Sequence, residues 1–480
     1  FPSNVYRSIQ GVVKDITPFM LHMGMFVPTL LGQASDEQLS EWLLPALNMH
    51  YIGTYAQTEL GHGTFLRGLE TTATYDVETE EFVLHSPTLT SYKWWPGGLA
   101  HTANHCIVVA QLYIKGVCYG VHPFFVQIRD IETHTPFQRI KVGEIGPKLG
   151  FQTANNGFLG FDQYRIPRKN MLMKNVQVLK DGTYVKSKND KLTYGTMVLV
   201  RVNIVTDMAY EVSRAATIAT RYSAVRHQSQ PKPNQPEPQI LDYVTQQHKL
   251  FISITTAHAF RLTGLWLFRA YSQVTRDLKA GNLDQLPELH ALACCLKAVT
   301  SKDSAACVEE CRLACGGHGF MTSSNLPILY GMTTAAITYE GEYTVMQLQT
   351  ARYLVKAWKQ AVEGKVMTPT VSYLVNFFTI LNINFNYYCF GFQFSTVSKN
   401  DIAALQSRYE QLLGLIRPNA VGLVDGFDVH DRILNSTLGA YDGRVYERLM
   451  EEALKSPLNA QPVNDSFHKY LKPLIAKGKL

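Results

Sequence analysis

Apolar residues recur at helical spacing near the start of the chain and throughout its second half. Leu39, Leu43 and Ala46 fall on one helical face, and Ser35, just before them, is a suitable N-cap residue. The same spacing predicts four long helices, over 197–226, 240–278, 286–315 and 342–362. Long helices joined by short links are typical of a helical bundle.

Between these helical segments, from residue 51 to about 168, the pattern changes to short runs of β-branched, aromatic and aliphatic residues. Turn signals such as Lys115-Gly116 and Gly143 separate the runs. We therefore predict a compact antiparallel β-domain, with strands over 72–75, 81–84, 107–114 and 124–128. The expected fold class is α+β and mainly α.

One segment, 366–398, contains no charged residue and approaches the length of a membrane span. Its asparagines, among them Asn376, Asn382 and Asn386, would be costly in lipid. We therefore expect a buried or poorly ordered segment rather than a span.

Composition narrows the function classes. The formal charge of +6 is spread along 480 residues without a basic tail, which argues against nucleic-acid binding. Eight cysteines are too few for a disulfide scaffold in a chain of this length. Cys307, Cys311 and Cys315 share one predicted helical face, but no Cys-x-x-Cys pair accompanies them, so we expect no metal site.

Two segments combine glycines with donors or aromatic rings. The run 53–64 has three glycines among hydroxyl-bearing residues, which would allow close approach to a flat ligand such as a flavin. The run 93–98 places Trp94 and Trp95 beside Gly97 and Gly98, and could wall the same ligand. On these grounds alone, ordinary turns and packing are the more common explanation of both runs.

Glu340 precedes the last long helix of the predicted bundle and is followed by Gly341. A glutamate at this place is commonly a helix cap or a partner of the helix dipole. The alternative is a general base in a dry cleft, where burial would raise its pKa. Residues 221–228, at the end of the first long helix, include Arg226 and allow either a dipole partner or a pyrophosphate clamp.

The strings Tyr-Ala-Gln-Thr-Glu-Leu-Gly-His-Gly at 55–63, Lys-Trp-Trp-Pro-Gly-Gly at 93–98 and Tyr-Glu-Gly-Glu at 339–342 occur in this order with Arg-Tyr-Ser-Ala-Val-Arg at 221–226. Together they resemble the peroxisomal acyl-CoA oxidases, of the acyl-CoA dehydrogenase/oxidase superfamily. The resemblance implies a remnant of the N-terminal helical domain at 1–52, a β-domain at 53–180, an FAD-binding bundle at 181–370 and a shortened C-terminal helical domain at 371–480. Only residues from about Phe19 onward are recognisable in the first domain.

The resemblance also assigns site residues and a cofactor. Glu340 matches the catalytic base, and FAD is the implied cofactor. The positions that match FAD contacts are Tyr55, Ala56, Gln57, Thr58, Gly63, Thr64, Gly97, Arg226, Gln246, Gln247, His248 and Lys249, of which the last five would act from a partner subunit. The positions that match contacts to the CoA portion are Lys191, Leu192, Thr193, Tyr194 and Arg201.

The implied reaction converts acyl-CoA and O2 to trans-2-enoyl-CoA and H2O2 in peroxisomal fatty acid β-oxidation, in a homodimer or a heterodimer with a homologous subunit. Two alternatives share these motifs: an acyl-CoA dehydrogenase with a protein electron acceptor, and a non-catalytic partner subunit. Ala100-His101 departs from the family pattern beside the tryptophan turn. The tail Gly478-Lys479-Leu480 is similar to a peroxisomal address, although Ser is more usual than Gly at its first position.

Overall fold

The computed structural model describes residues 15–186, 195–375 and 399–473. Helices flank and follow a central β-region, so the predicted mainly helical α+β class is confirmed. No helix in these three ranges is both long and apolar enough to cross a membrane. The asparagine-rich run 376–394 lies outside the described residues.

Two α-helices, α1 (Val27–Gln33) and α2 (Asp36–Leu47), precede the β-region, and a π-helical turn at His22–Phe26 leads into α1. Ser35 caps α2 as predicted: its side chain accepts from the backbone N–H of Gln38, whose side chain accepts from the backbone N–H of Ser35. Trp42 of α2 stacks on Phe125 with ring centroids 4.3 Å apart. This contact fixes the helical pair against the sheet.

The β-region contains eleven strands. They are β1 (Gly53–Ala56), β2 (Thr72–Asp76), β3 (Glu81–His85), β4 (Lys93–Trp94), β5 (His105–Ile114), β6 (Val117–Gln127), β7 (Ile140–Glu144), β8 (Gly157–Phe161), β9 (Tyr164–Pro167), β10 (Val176–Val178) and β11 (Tyr184–Lys186). Four of them, β2, β3, β5 and β6, coincide with the predicted runs. Lys115 and Gly116 both have positive φ and join β5 to β6, which confirms that turn signal.

The main sheet has the order β1-β5-β2-β3-β9, and β6 also pairs with β5. The predicted antiparallel arrangement is wrong in two places, because β5 runs parallel to both β1 and β2. Parallel pairing requires a long crossover, which residues 57–104 provide. Apolar periodicity carries no information on strand direction, so the sequence pattern could not reveal this.

A second sheet has the order β4-β8-β7, and β10 pairs with β11 in a separate hairpin. That hairpin continues the β-region to Lys186, past the boundary predicted at residue 180. The domain boundaries otherwise remain a prediction.

Four long helices and two short ones form the bundle that follows the β-region. They are α3 (Gly195–Val225), α4 (Val244–Lys279), α5 (Leu286–Ala314), α6 (Gly316–Phe320), α7 (Leu326–Ala336) and α8 (Tyr343–Val362). The four predicted helices are confirmed with small shifts, since Ile240–Asp242 forms a separate 3-10 turn before α4. The prediction missed α7, which is short and begins with Leu326-Pro327. Further helices follow: α9 (Lys399–Ile416), α10 (Ala420–Asp425), α11 (Asp431–Leu434) and α12 (Val445–Leu454).

The β-region meets the bundle at two glycines. A Cβ atom on Gly150 would lie 2.8 Å from the carbonyl carbon of Gly331 in α7, closer than real Cβ atoms come. The two backbones therefore require glycine at this contact. It sets α7, and the turn that follows it, beside the edge of the β-region.

Candidate active site

A cavity of about 2130 Å³ lies between the β-region, the N-terminal helical segment and the bundle. Eight of the predicted site residues line it: Tyr55, Gln57, Thr58, Gly63, Thr64, Gly97, Arg201 and Glu340. Ala56 does not line it, because its side chain points into the core of the β-region. Residues from four separate segments of the sequence thus meet at one cleft.

Glu340 lies in the turn between α7 and α8, with its side chain at the cavity wall. Its φ is 54°, and that of Gly341 is 107°. The left-handed backbone is unfavourable for glutamate and turns its carboxyl inward. At φ 107° Gly341 has a backbone conformation that residues with a side chain rarely adopt, and a Cβ atom there would also crowd the Met346 side chain, so glycine is strongly favoured after Glu340.

The surroundings of Glu340 suit a base. Burial raises the pKa of its carboxyl above the ordinary value, and the positive charges of Arg201 and Lys297 partly oppose this shift. The net effect raises the pKa of the carboxyl towards the working pH, where a general base is most effective.

Glu342 has a different role in the same turn. It is the N-cap residue of α8, and its carboxylate accepts from the backbone N–H groups of Thr344 at 2.8 Å and Val345 at 3.2 Å. The cap role that sequence reasoning offered for Glu340 therefore belongs to Glu342, which leaves the Glu340 carboxyl to the cavity.

Arg201, on α3, contacts the turn that carries Glu340. Its Nε donates to the carbonyl oxygen of Glu340 at 3.0 Å, and one terminal nitrogen lies 3.5 Å from Sγ of Cys294. The side chain is only 7% exposed. This position favours a contact with the base over the predicted contact with the CoA portion, which remains an untested prediction.

Lys297, on α5, is a residue that the sequence reasoning missed. Its Nζ donates to the carbonyl oxygen of Gly341 at 2.6 Å. The sequence could have revealed it, because a lysine on the apolar face of a predicted helix, here beside Cys294 and Ala298 on α5, is unusual.

The predicted flavin segment is anchored by a buried ion pair. Lys93 Nζ lies 2.9 Å from Glu59 Oε1, and both side chains are fully buried. The lysine also donates to the carbonyl oxygens of Gln57 at 3.2 Å and Val109 at 2.7 Å. Gln57 in turn accepts from the Tyr55 hydroxyl at 3.3 Å. The pKa of Tyr55 is raised by burial and by the nearby Glu340 charge.

The cavity wall has features that fit a flat cofactor. The Oδ1 atom of Asn156 is buried there and has no hydrogen-bond partner in the described part of the chain, while its Nδ2 donates to the Trp95 carbonyl at 2.5 Å. A Cβ atom on Gly63 would meet open space on the cavity side. An unpaired acceptor, an open glycine and the hydroxyls of Thr58 and Thr64 match the polar edge of an isoalloxazine ring.

Five predicted FAD contacts lie away from this cavity. Arg226, at the end of α3, donates to the Tyr446 hydroxyl at 3.4 Å. Gln246 donates to Ser223 and Ala314, and His248 pairs with Tyr409. Lys249 is half-buried on α4. Within one chain, therefore, the structure does not bring these residues to Glu340.

Gln247 is the least suited of the five to contact a cofactor. Its side chain is buried, and its amide donates to the carbonyl oxygen of Leu241 at 3.0 Å. Lys191, Leu192, Thr193 and Tyr194 lie outside the described residues, as does the tail 478–480. Across the described ranges, no group of three or more His, Cys, Asp or Glu side chains could hold a metal ion.

Sequence comparisons identify the family. Models described as acyl-coenzyme A oxidase N-terminal, acyl-CoA oxidase C-alpha1 domain and acyl-CoA oxidase match residues 3–52, 194–355 and 288–476. The chain is 48% identical to acyl-coenzyme A oxidase 1 of Drosophila melanogaster, over 97% of this chain and 84% of the relative. The chain belongs to the acyl-CoA oxidase family.

Other acyl-CoA oxidases agree in sequence and fold. Peroxisomal acyl-coenzyme A oxidase 1 of Rattus norvegicus is 44% identical over 96% of this chain and 85% of its own length. Acyl-CoA oxidase-2 of Caenorhabditis elegans, bound with FAD, ascaroside-CoA and ATP, superposes with a TM-score of 0.91 at 38% identity, covering 99% of this chain and 85% of that one. Acyl-CoA oxidase 1 of Arabidopsis thaliana gives 0.90 at 37% identity, covering 98% and 87%.

Two expectations about the missing parts can be compared with these matches. The N-terminal oxidase match begins at residue 3, so the expectation that only residues from about Phe19 are recognisable is wrong. The alignment with the Drosophila oxidase extends over 561 positions, more than the 480 residues of the chain, so that oxidase has internal residues that this chain lacks. This supports the prediction of a shortened region without locating it.

Proposed function

We propose that this chain is an FAD-dependent acyl-CoA oxidase that introduces a trans double bond between C2 and C3 of an acyl-CoA. The observation that carries the proposal is the position of Glu340 on the wall of the cavity that the predicted flavin segment also lines. The base and the cofactor segment thus face one space, as removal of a proton and a hydride from neighbouring carbons requires.

FAD fits this site on the evidence of the cavity wall itself. Tyr55, Gln57 and Thr58 would contact its ring, with Gly63 and Gly97 allowing close approach of the backbone. FAD, when bound, supplies the hydride acceptor for the substrate and returns the electrons to O2 as H2O2.

The protein side of the reaction is a proton transfer. Glu340 would take the α-proton at C2 of the thioester, which is only weakly acidic and so needs a carboxylate aimed directly at it. The carboxyl must be ionised to do so. Arg201 and Lys297 favour the ionised form against the effect of burial.

The second subunit would complete the cofactor site. Arg226 and Gln246 lie away from the cavity of their own chain, as expected if they contact FAD bound to a partner chain. A homodimer, or a heterodimer with a homologous subunit, satisfies this requirement. We also propose that the protein is located in the peroxisome, because its mammalian relatives are named peroxisomal acyl-coenzyme A oxidase 1.

The test is an aerobic assay of the purified FAD-loaded protein with acyl-CoAs of graded chain length, in which we expect stoichiometric enoyl-CoA and H2O2. Substrate bleaching of the flavin without reoxidation by O2 would instead identify a dehydrogenase that needs a protein acceptor. Protein that purifies colourless and gains activity only with a homologous subunit would identify a non-catalytic partner.

A further inference from the structure

The Lys297 side chain is fully buried, and its ammonium group contacts one short turn. Besides the 2.6 Å contact to the Gly341 carbonyl, Nζ lies 3.5 Å from the Ile337 carbonyl oxygen. It also lies 5.9 Å from the centroid of the Tyr339 ring. All these contacts are to residues 337–341, the turn that carries Glu340.

Burying a lysine to connect a helix to a turn costs free energy, because the ammonium group loses its hydration. Burial lowers the pKa of Lys297 to about 8, with the charge of Arg201 contributing in the same direction. A methionine would fill similar space without the cost of burying a charge. The position therefore calls for a reason beyond packing.

The geometry of the turn supplies one. Arg201 from α3 holds the carbonyl of Glu340, while Lys297 from α5 holds the carbonyl of Gly341. The two peptide units so held are the ones with φ of 54° and 107°. A left-handed, non-glycine conformation persists only when its surroundings fix it, and two cations from two helices do so here.

We propose that Lys297 is a positioning residue that fixes the Glu340–Gly341 turn so that the carboxylate faces the substrate, and whose charge favours the ionised carboxylate. The inference rests on the proposed role of Glu340 as the base. It does not require that Lys297 touch the substrate or the cofactor.

The charges around this pair determine the sign of the expected effect. Arg201, on α3, and Lys297, on α5, both favour ionised Glu340, whereas burial opposes it. Glu342, in the turn, and Cys294, on α5, are the other titratable groups that influence Lys297. Removal of the lysine charge alone should therefore raise the pKa of Glu340.

The test compares flavin reduction in Lys297→Met with Lys302→Met, an equally sized change at an exposed position of the same helix. We expect Lys297→Met to lower the rate of anaerobic flavin bleaching roughly 10²-fold, a size that a displacement of about 1 Å can produce. Binding of a non-reducible acyl-CoA analogue should change little. The pH inflection of the reduction rate should move to higher pH, and Lys302→Met should match the parent throughout.

A second measurement does not depend on turnover. Infrared titration of the oxidised enzyme, with Glu340→Gln as the spectral reference, follows the protonated Glu340 carboxyl directly. Its band should persist to higher pH in Lys297→Met than in the parent. Lys297→Arg keeps the charge and should retain the parental titration even if its larger side chain slows the reaction.

The inference is overturned if FAD-loaded Lys297→Met reduces its flavin at the parental rate, or if it loses rate while the Glu340 titration is unchanged. A loss confined to flavin content also contradicts it, because that indicates a structural role. The parent enzyme keeps the two proposals separate: if it is not reduced by acyl-CoA at all, the proposed function fails, whereas a failure of the lysine inference appears only in the comparison of variants.

Discussion

At the scale of single residues, the site depends on how two nearby glutamates divide their roles. Both glutamates line the cavity, but Glu342 accepts hydrogen bonds from backbone N–H groups at the start of α8, whereas the Glu340 carboxyl is buried near the charges of Arg201 and Lys297. The left-handed turn at Glu340 and Gly341 produces this separation. Two chemically identical side chains thus receive different functions from their backbone conformation.

Glu340→Gln should keep FAD and acyl-CoA binding but lose about 10²-fold to 10⁴-fold in flavin reduction, because it removes a positioned general base. Stopped-flow bleaching of the flavin by substrate measures this step. Glu342→Gln is the matched control: it weakens a helix cap at a cost of about 1 kcal/mol and should affect the rate far less. Equal losses in the two variants would contradict the assignment.

Glu340→Gln should also change how the stability of the protein depends on pH. Because the pKa of Glu340 is raised, the folded protein binds the carboxyl proton more tightly than the unfolded chain does. The resulting contribution to the free energy of unfolding is complete at acid pH and is lost as pH rises through the folded-state pKa of Glu340. Glu340→Gln should therefore be more stable than the parent near neutral pH, and the difference should shrink towards acid pH. Thermal melts of the FAD-loaded proteins across this range test it. A gain that does not depend on pH would point to another cause.

At the scale of elements, the ion pair of Lys93 and Glu59 joins the predicted flavin segment to the β-region. Glu59 also accepts from the backbone N–H of Glu70 at 2.8 Å and of Thr71 at 2.9 Å. Although burial opposes it, the Lys93 charge and these hydrogen bonds keep the pKa of Glu59 below its usual value. The segment that follows β1 is thus fixed from three sides before any cofactor binds.

Lys93→Met should lower both stability and FAD content, because it leaves Glu59 buried without its counter-charge, a loss of about 3–5 kcal/mol. The double variant Lys93→Met/Glu59→Gln should recover part of this loss, since it removes the unpaired charge. Chemical denaturation and the ratio of flavin to protein absorbance measure the two effects. A double variant that is less stable than Lys93→Met would contradict this explanation.

At the scale of the whole molecule, the proposed base and the predicted flavin segment of one chain line the same cavity, whereas Arg226 of that chain lies away from it. Glu340 and Tyr55 line the cavity, whereas Arg226 contacts Tyr446 near the C-terminal helices. Assembly of two chains would bring together what the fold of one chain separates. The prediction that follows from this concerns mixed dimers.

Co-expressed Arg226→Ala and Glu340→Gln chains, purified through two different tags, should be more active than either variant alone. If Arg226 acts across the interface, one site of each mixed dimer combines an intact Glu340 with an intact Arg226. The other site carries both changes. If Arg226 acts within its own chain, no site is restored, and the mixed dimer should not exceed the mean of the two parent variants.

Sequence periodicity was sufficient for the long helices and for four of the eleven strands, because burial on one face imposes a regular repeat whatever the partner. It located α3, α5 and α8 within a few residues. It could not tell that β1 and β2 run parallel to β5, because strand direction depends on the connections between strands. It also missed α7, which is too short for a clear repeat.

The sequence by itself determined the family, the fold class and the identity of Glu340 as the candidate base, because these depend on local strings and on their order. Only the tertiary structure decided which groups surround that base. Lys297 and Arg201 are distant from Glu340 along the chain, and their contacts arise from the packing of α3 and α5 against one turn. A local pattern records burial and turn chemistry, whereas charge interactions across helices depend on distances that exist only after folding.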